Sequence, residues 1–110
     1  MIRKIYIASD HAGYNLKTII IKNNKDPIFD LGTNSSYSVD YPDYALALVK
    51  EIQAEKNSFG ILICGSGVGM SIAANRNSDI RAGLAFNAEI ASLMRLHNDA
   101  NVLVLPSRFI

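Results

Sequence analysis

The chain's single cysteine, Cys64, ends the apolar run Ile61-Leu62-Ile63 and opens the turn Gly65-Ser66-Gly67-Val68-Gly69. Such a run followed by such a turn reads as a buried strand that reverses into a helix. Glycines let backbone N–H groups face whatever lies past the strand end, and the helix start adds partial positive charge. A thiol held there is biased toward thiolate. An ordinary thiol, with a pKa of about 8.5, is only a few per cent ionised at neutral pH. A proton acceptor beside an anion cradle is what an enzyme needs to form and hold an enediolate. Preorganised donors aimed at a developing oxyanion are typically worth ~3–4 kcal/mol each.

The elements that must carry these residues alternate between strand and helix. Apolar runs predict strands over 5–8, 28–32, 60–63, 82–86 and 102–105. Between them, Leu16, Ile19 and Ile20 recur at helical spacing, as do Ala45, Leu48, Val49 and Ile52. A short helix is expected over 70–75, and Asn87 reads as the N-cap of a helix bearing Ile90, Leu93, Met94 and Leu96. Pro42 suits the first turn of the second helix, after a polar loop over 33–41. Strands that are nearly continuous in apolar residues and separated by helices imply a parallel sheet covered on both faces. The expected fold is a three-layer α/β/α sandwich with a five-stranded parallel sheet, Rossmann-like or flavodoxin-like, over residues 1–110 as one domain. Ligands of such sheets bind at the carboxyl ends of the strands. The loops there hold Asp10 and His11, the turn from Cys64, and Ser107 and Arg108; His97 and Asn98 instead end a helix ahead of the fifth strand.

Composition narrows the class. With 110 residues, 49% hydrophobic and 19% charged, the chain is a globular domain and not a disordered one. A net charge of +1 with no basic run beyond Arg3-Lys4 argues against nucleic acid as a partner. The apolar runs are far too short to span a membrane. One cysteine excludes an internal disulfide. No targeting segment is read ahead of the first strand, so a cytoplasmic location is expected. Ser107 to Ile110 reads as the opening of a closing helix, and without that helix one apolar face of the sheet is expected to lack cover.

Three motifs in order, Ser9-Asp10-His11-Ala12-Gly13, Cys64-Gly65-Ser66-Gly67-Val68-Gly69 and His97-Asn98-Asp99-Ala100-Asn101-Val102, resemble the ribose-5-phosphate isomerase B family, which includes galactose-6-phosphate isomerase subunits. The likeness covers the whole chain and takes in Asp40-Tyr41-Pro42, Ile72-Ala73-Ala74-Asn75 and Gly83. The resemblance implies an aldose–ketose isomerase that interconverts ribose 5-phosphate and ribulose 5-phosphate, with no metal and no organic cofactor. It implies Cys64 as the proton-abstracting base, His97 in ring opening, and Ser66 as an assisting hydroxyl. Gly65, Ser66, Gly67, Val68 and Gly69 match the backbone cradle of the enediolate. Asp10, His11, Asn98 and Arg108 match substrate contacts, Arg108 toward the phosphate. Members of another type carry a glutamate where Met70 stands, so this chain resembles the thiol type. The site is shared between subunits in that family, which implies a homodimer or homotetramer. The family continues past Arg108 into a helical segment with further arginines, and this chain reads as lacking it.

Plainer roles stand beside each of these. Cys64 could be a small hydrophobe ending a strand, Ser66 a local cap, and His97 a cation at a helix C-terminus. Asp10 and His11 could cap the first helix, and Arg108 could be a solvated charge. Tyr14, Tyr41 and Tyr44 read as core or rim aromatics. Three alternative functions follow: a galactose-6-phosphate isomerase subunit, a sugar-phosphate binder without turnover, and a flavodoxin-like nucleotide binder. The last is disfavoured, because the glycine turn has neither a Lys-Ser/Thr pair nor the dinucleotide spacing.

Overall fold

Apolar strands with no polar face need cover on both sides, and among the described residues four helices flank five strands. The computed structural model describes residues 3–110; Met1 and Ile2 lie outside the described residues. In chain order the elements are β1 (Lys4–Ser9), a 3-10 turn (His11–Gly13), α1 (Tyr14–Asn23), β2 (Phe29–Asp30), α2 (Tyr41–Ala54), β3 (Ser58–Cys64), α3 (Val68–Asn75), β4 (Ala82–Leu84), α4 (Ala88–Asn98) and β5 (Val102–Pro106). All strand pairs are parallel, in the order β2-β1-β3-β5-β4. The expected three-layer sandwich is what forms. Its last two strands are exchanged relative to the flavodoxin-like order 2-1-3-4-5, because β4 leaves a gap beside β3 that β5 fills.

That order sets the layers. Right-handed crossovers place helices on opposite faces when the winding direction reverses. The winding reverses after β2 and again after β4, so α2 and α3 share one face while α1 and α4 share the other. The α2/α3 face is the tighter one: Leu48, Val49 and Ile52 of α2 and Met70 and Ala74 of α3 close over Tyr6, Ala8, Leu62, Val102 and Val104. Each large aliphatic side chain buried there contributes about 1.5–3 kcal/mol. On the other face the alternate residues Ile5, Ile61 and Leu103 are only half-buried. They floor an apolar groove of about 250 Å³ walled by Ala91, Met94 and Arg95 of α4.

Element ends follow local chemistry. Asn87 caps α4 as expected, its Oδ1 accepting from the Ile90 amide at 2.8 Å. The second strand is shorter than 28–32 because Gly32, at φ +106°, leaves extended geometry. The fourth stops at Leu84, and Phe86 is exposed ahead of the Asn87 cap. Helix α3 begins at Val68, two residues earlier than expected, directly on the glycine turn. Residues 107–109 form a turn, with the Phe109 amide donating to the Pro106 carbonyl, where the sequence reads as a helix opening. Among the described residues no helix is long and apolar enough to cross a membrane.

Helix α1 departs furthest from its apolar pattern. Its buried residue is Lys17, while Ile19 is exposed. The Lys17 ammonium donates to both Asp30 oxygens at 2.7 Å, and Asp30 Oδ1 also accepts from the Gly32 amide at 2.9 Å. The Lys17 side chain is 2% exposed and the Asp30 side chain 37%, so the two partners differ in what their loss leaves behind. Asp30→Ala strands an ammonium in the interior and is expected to cost about 3–5 kcal/mol. Lys17→Met leaves a carboxylate that water can reach and is expected to cost less. Urea denaturation of the two variants compares them directly, and a greater loss in Lys17→Met would contradict the asymmetry.

Candidate active site

Three parallel strand ends and the start of α2 converge on a cleft of about 410 Å³. The end of β1 delivers Asp10 and His11, the end of β3 delivers Cys64, Gly65, Ser66 and Gly69, the end of β5 delivers Arg108 and Phe109, and α2 contributes Tyr41. Backbone bonds lock the strand ends together: the Ser107 amide donates to the Cys64 carbonyl at 2.9 Å, and the Arg108 amide to the Gly65 carbonyl at 3.0 Å. The Asp10 amide donates to the Ile63 carbonyl at 3.2 Å. The Ser107 hydroxyl lies 2.9 Å from the Ala12 carbonyl and 3.2 Å from the Cys64 carbonyl, so one side chain spans the β1 and β3 loops.

The turn after β3 forms because Gly67 takes a left-handed conformation, φ +77° and ψ −17°, and serves as the N-cap residue of α3. A side chain there would be strained by the backbone and would also meet Leu84, whose Cδ1 lies 2.3 Å from an added Cβ. Chain reversal in so few residues sets Cys64 at the cleft floor and the first turn of α3 beside it. Cys64 is 5% exposed, with one side in the hydrophobic core and the other on the cleft.

The structure gives several of these residues a local task in addition to a place in the cleft. Ser66 Oγ accepts from the Val68 amide at 3.2 Å, as a local cap does. That amide is therefore engaged, and the Val68 side chain is exposed away from the cleft lining. Gly67 shapes the turn without lining the cleft. Asp10 Oδ1 accepts from the Gly13 amide at 3.1 Å and caps the 3-10 turn. His11 Nδ1 accepts from the Val39 amide at 3.1 Å. The Arg108 side chain lies across Gly65, with Nη1 3.1 Å from where a Cβ would stand. Arg108 takes part in none of the ion pairs among the described residues, which are Lys4–Glu55, Lys17–Asp30, Lys56–Asp79 and Arg95–Asp99.

His97 and Asn98 are not brought to this cleft. They end α4, and helices in this fold run antiparallel to the strands, so the end of α4 lies by the amino ends of the sheet. The 11 residues of α4 span about 16 Å at 1.5 Å per residue, farther than a side chain reaches. Asn98 lines a separate hollow with Asn75, Arg81, Gly83 and Met94, and its carbonyl accepts from Arg81 Nε at 2.7 Å. Three residues of the cleft lining, Ala12, Tyr41 and Phe109, are not among the candidate site residues of the sequence. The Tyr41 ring lies on Gly69, where an added Cβ would come within 2.7 Å of Cζ, so that glycine makes room for an aromatic wall.

A parallel three-layer sheet with a polar cleft over its strand ends, and a cysteine on the cleft floor, belongs to the class of α/β enzymes that work at strand carboxyl ends. The comparison with known proteins narrows the class. The chain belongs to the ribose/galactose isomerase family, whose model matches residues 5–110. It is 51% identical over 110 residues to the probable ribose-5-phosphate isomerase B of Mycoplasma pneumoniae, covering 96% of this chain and 72% of that protein. A crystal structure of the Thermotoga maritima ribose 5-phosphate isomerase superposes with a TM-score of 0.92 at 50% identity, covering 100% of this chain and 78% of the other. The Mycoplasma genitalium ribose-5-phosphate isomerase B, solved with bound ribulose-5-phosphate, superposes at 0.91 with 42% identity and the same full coverage of this chain, and 76% of its own.

The dual constraint on Gly67 yields a separable prediction. Gly67→Ala is expected to destabilise the fold by more than the ~1–2 kcal/mol that a left-handed backbone alone costs. Removing the obstruction with Leu84→Ala is expected to recover the excess but not the backbone share, so the two changes should be non-additive in urea denaturation. Strict additivity would show that Leu84 does not press on the turn.

Proposed function

We propose that this chain is an aldose–ketose isomerase that interconverts ribose 5-phosphate and ribulose 5-phosphate through an enediolate. The observation that carries the reading is the meeting of Cys64 with Asp10, His11 and Arg108 around one cleft at the strand carboxyl ends. Family membership supports it, as does a relative of the same fold solved with ribulose-5-phosphate.

The chemistry follows from the positions. Isomerisation removes the C2 proton of the open-chain aldose and returns a proton to C1. Cys64 as thiolate takes the C2 proton, the C2–H electron pair becomes the C1–C2 double bond, and the carbonyl oxygen at C1 takes the negative charge. The unengaged amides of the 65–69 turn and the start of α3 stabilise that oxyanion. A proton then passes from the C2 hydroxyl to the C1 oxygen, which moves the negative charge to O2; as the ketone forms at C2, the C1–C2 double-bond pair takes the proton from the thiol at C1 and the thiolate is restored. Arg108, with no ion-pair partner among the described residues, holds the phosphate, and Asp10 and His11 orient the hydroxyls and phosphate between. Replacing Cys64 by Ala is expected to reduce turnover of ribose 5-phosphate by about 10²–10⁴-fold while leaving the fold intact. Near-normal turnover in a folded Cys64→Ala chain would remove the thiol from the mechanism.

Ring opening needs an acid–base group near the sugar ring oxygen, and His97 lies too far from Cys64 of its own chain to be that group. A second copy supplies it in our reading: the enzyme is a homodimer or a pair of dimers, with His97 and Asn98 of one copy entering the cleft of the other. Helix α4 supports this, because Leu93, Leu96 and His97 share one face at i, i+3 and i+4 spacing and both leucines are exposed. The reaction belongs to cytoplasmic sugar metabolism in this reading. Mixing inactive Cys64→Ala and His97→Ala chains is expected to restore about a quarter of parental activity, since half of randomly paired dimers then carry one intact site of two. No recovery after subunit exchange would place both residues in the same chain's site.

A further inference from the structure

Residues 34–40, between β2 and α2, are largely exposed, and at the start of this segment the Gly32 carbonyl accepts from the Ser9 amide at 2.8 Å while the Thr33 amide donates to the Ser9 carbonyl at 3.0 Å. Within the segment the Tyr37 amide donates to Ser35 Oγ at 3.3 Å, a purely local bond. The bond that ties its far half to the cleft is the one from the Val39 amide to His11 Nδ1, at 3.1 Å across 28 residues of sequence. A backbone N–H can only donate, so the Nδ1 it meets must be an unprotonated acceptor. A neutral imidazole with a bare Nδ1 carries its proton on Nε2.

From this we infer that His11 works as a neutral Nε2–H donor into the cleft, and that Val39 is the positioning residue that fixes its tautomer. The inference rests on the isomerase reading only for what Nε2–H meets, an anionic or hydroxyl oxygen of a sugar phosphate. One ring therefore performs two tasks. Its Nδ1 holds the 34–40 segment against the cleft, and its Nε2 offers a hydrogen bond to substrate. The strap requires the neutral ring, because a doubly protonated imidazole has no nitrogen left to accept the Val39 N–H. The other charged or titratable groups that line the cleft with His11 are Asp10, Cys64, Tyr41 and Arg108, and Asp40 follows Val39 in the chain. None of them donates to Nδ1 in place of the Val39 amide.

The experiment is nitrogen NMR on the full chain with labelled histidine. Only two histidines are present, and a His97→Gln chain assigns the His11 ring. The expected result is an unprotonated Nδ1 and a protonated Nε2, with Val39 amide protection, after correction for intrinsic exchange, falling as the ring takes up its second proton. His11→Gln keeps a donor near the Nε2 position but loses the acceptor, and is expected to lower Val39 protection by about threefold to tenfold. His11→Asn keeps an acceptor near the Nδ1 position and loses the donor, so it is expected to preserve Val39 protection and raise the KM for ribose 5-phosphate about tenfold. A proton on Nδ1 in the neutral ring, or Val39 protection indifferent to His11→Gln, would overturn the inference. Failure of the parent chain to turn over ribose 5-phosphate would instead count against the isomerase reading, with the nitrogen spectrum still deciding the tautomer.

Discussion

The reversal of the chain at Gly67 is the constraint on which the rest of the structure depends. Strand β3 lies at the centre of the sheet and must hand over to α3 without obstructing the strand ends on either side. A left-handed residue does this in a single step, and only glycine adopts that conformation with Leu84 pressed so close. The handover sets three features of the cleft: a sulfur at the strand end, a glycine turn at its side, and the first turn of α3 next to it.

The cleft is held by neighbours that do no chemistry. Ser107 spans the loops after β1 and β3, and its backbone continues the β5 ladder past Pro106, so three strand ends behave as one edge. Lys17 and Asp30 do the corresponding work at the far side of β1, where the carboxylate receives the Gly32 amide and the Gly32 turn in turn bonds to Ser9, the residue before Asp10. An ion pair with one partner buried contributes little net stability when desolvation is counted, but it specifies one position for a short edge strand. Gly69 and Tyr41 show the same economy in shape: a missing side chain on α3 accommodates a ring from α2.

Most of the fold was legible from period and punctuation. The central strands are unbroken apolar runs, the Asn87 cap marks the start of α4, and the strand-to-helix alternation leaves a covered parallel sheet as the fold these elements build. What pattern could not show was the inward turn of Lys17 in a helix whose isoleucines advertise a different face. Apolar periodicity assumes that charge stays wet, and Lys17 escapes that rule because Asp30, on a different element, neutralises it. The swap of β4 and β5 was equally hidden, since each crossover alone is compatible with either order. Of the candidate site, the strand-end residues Asp10, His11, Cys64, Ser66 and Arg108 could be anticipated from position. Tyr41 and Phe109 could not, because nothing local distinguishes a cleft wall from an ordinary rim aromatic.

The sequence by itself determined which groups are available and at which strand ends they emerge: a lone thiol, a glycine turn, an Asp-His pair and an arginine, each tied to its element by short-range pattern. Only the tertiary structure decided which of them meet. It gathered the ends of β1, β3 and β5 into one cleft because those strands are neighbours, and it sent His97 and Asn98 to the opposite edge because α4 runs antiparallel to the sheet. Adjacency of strands and direction of helices arise from long-range pairing, and no window of sequence carries that information.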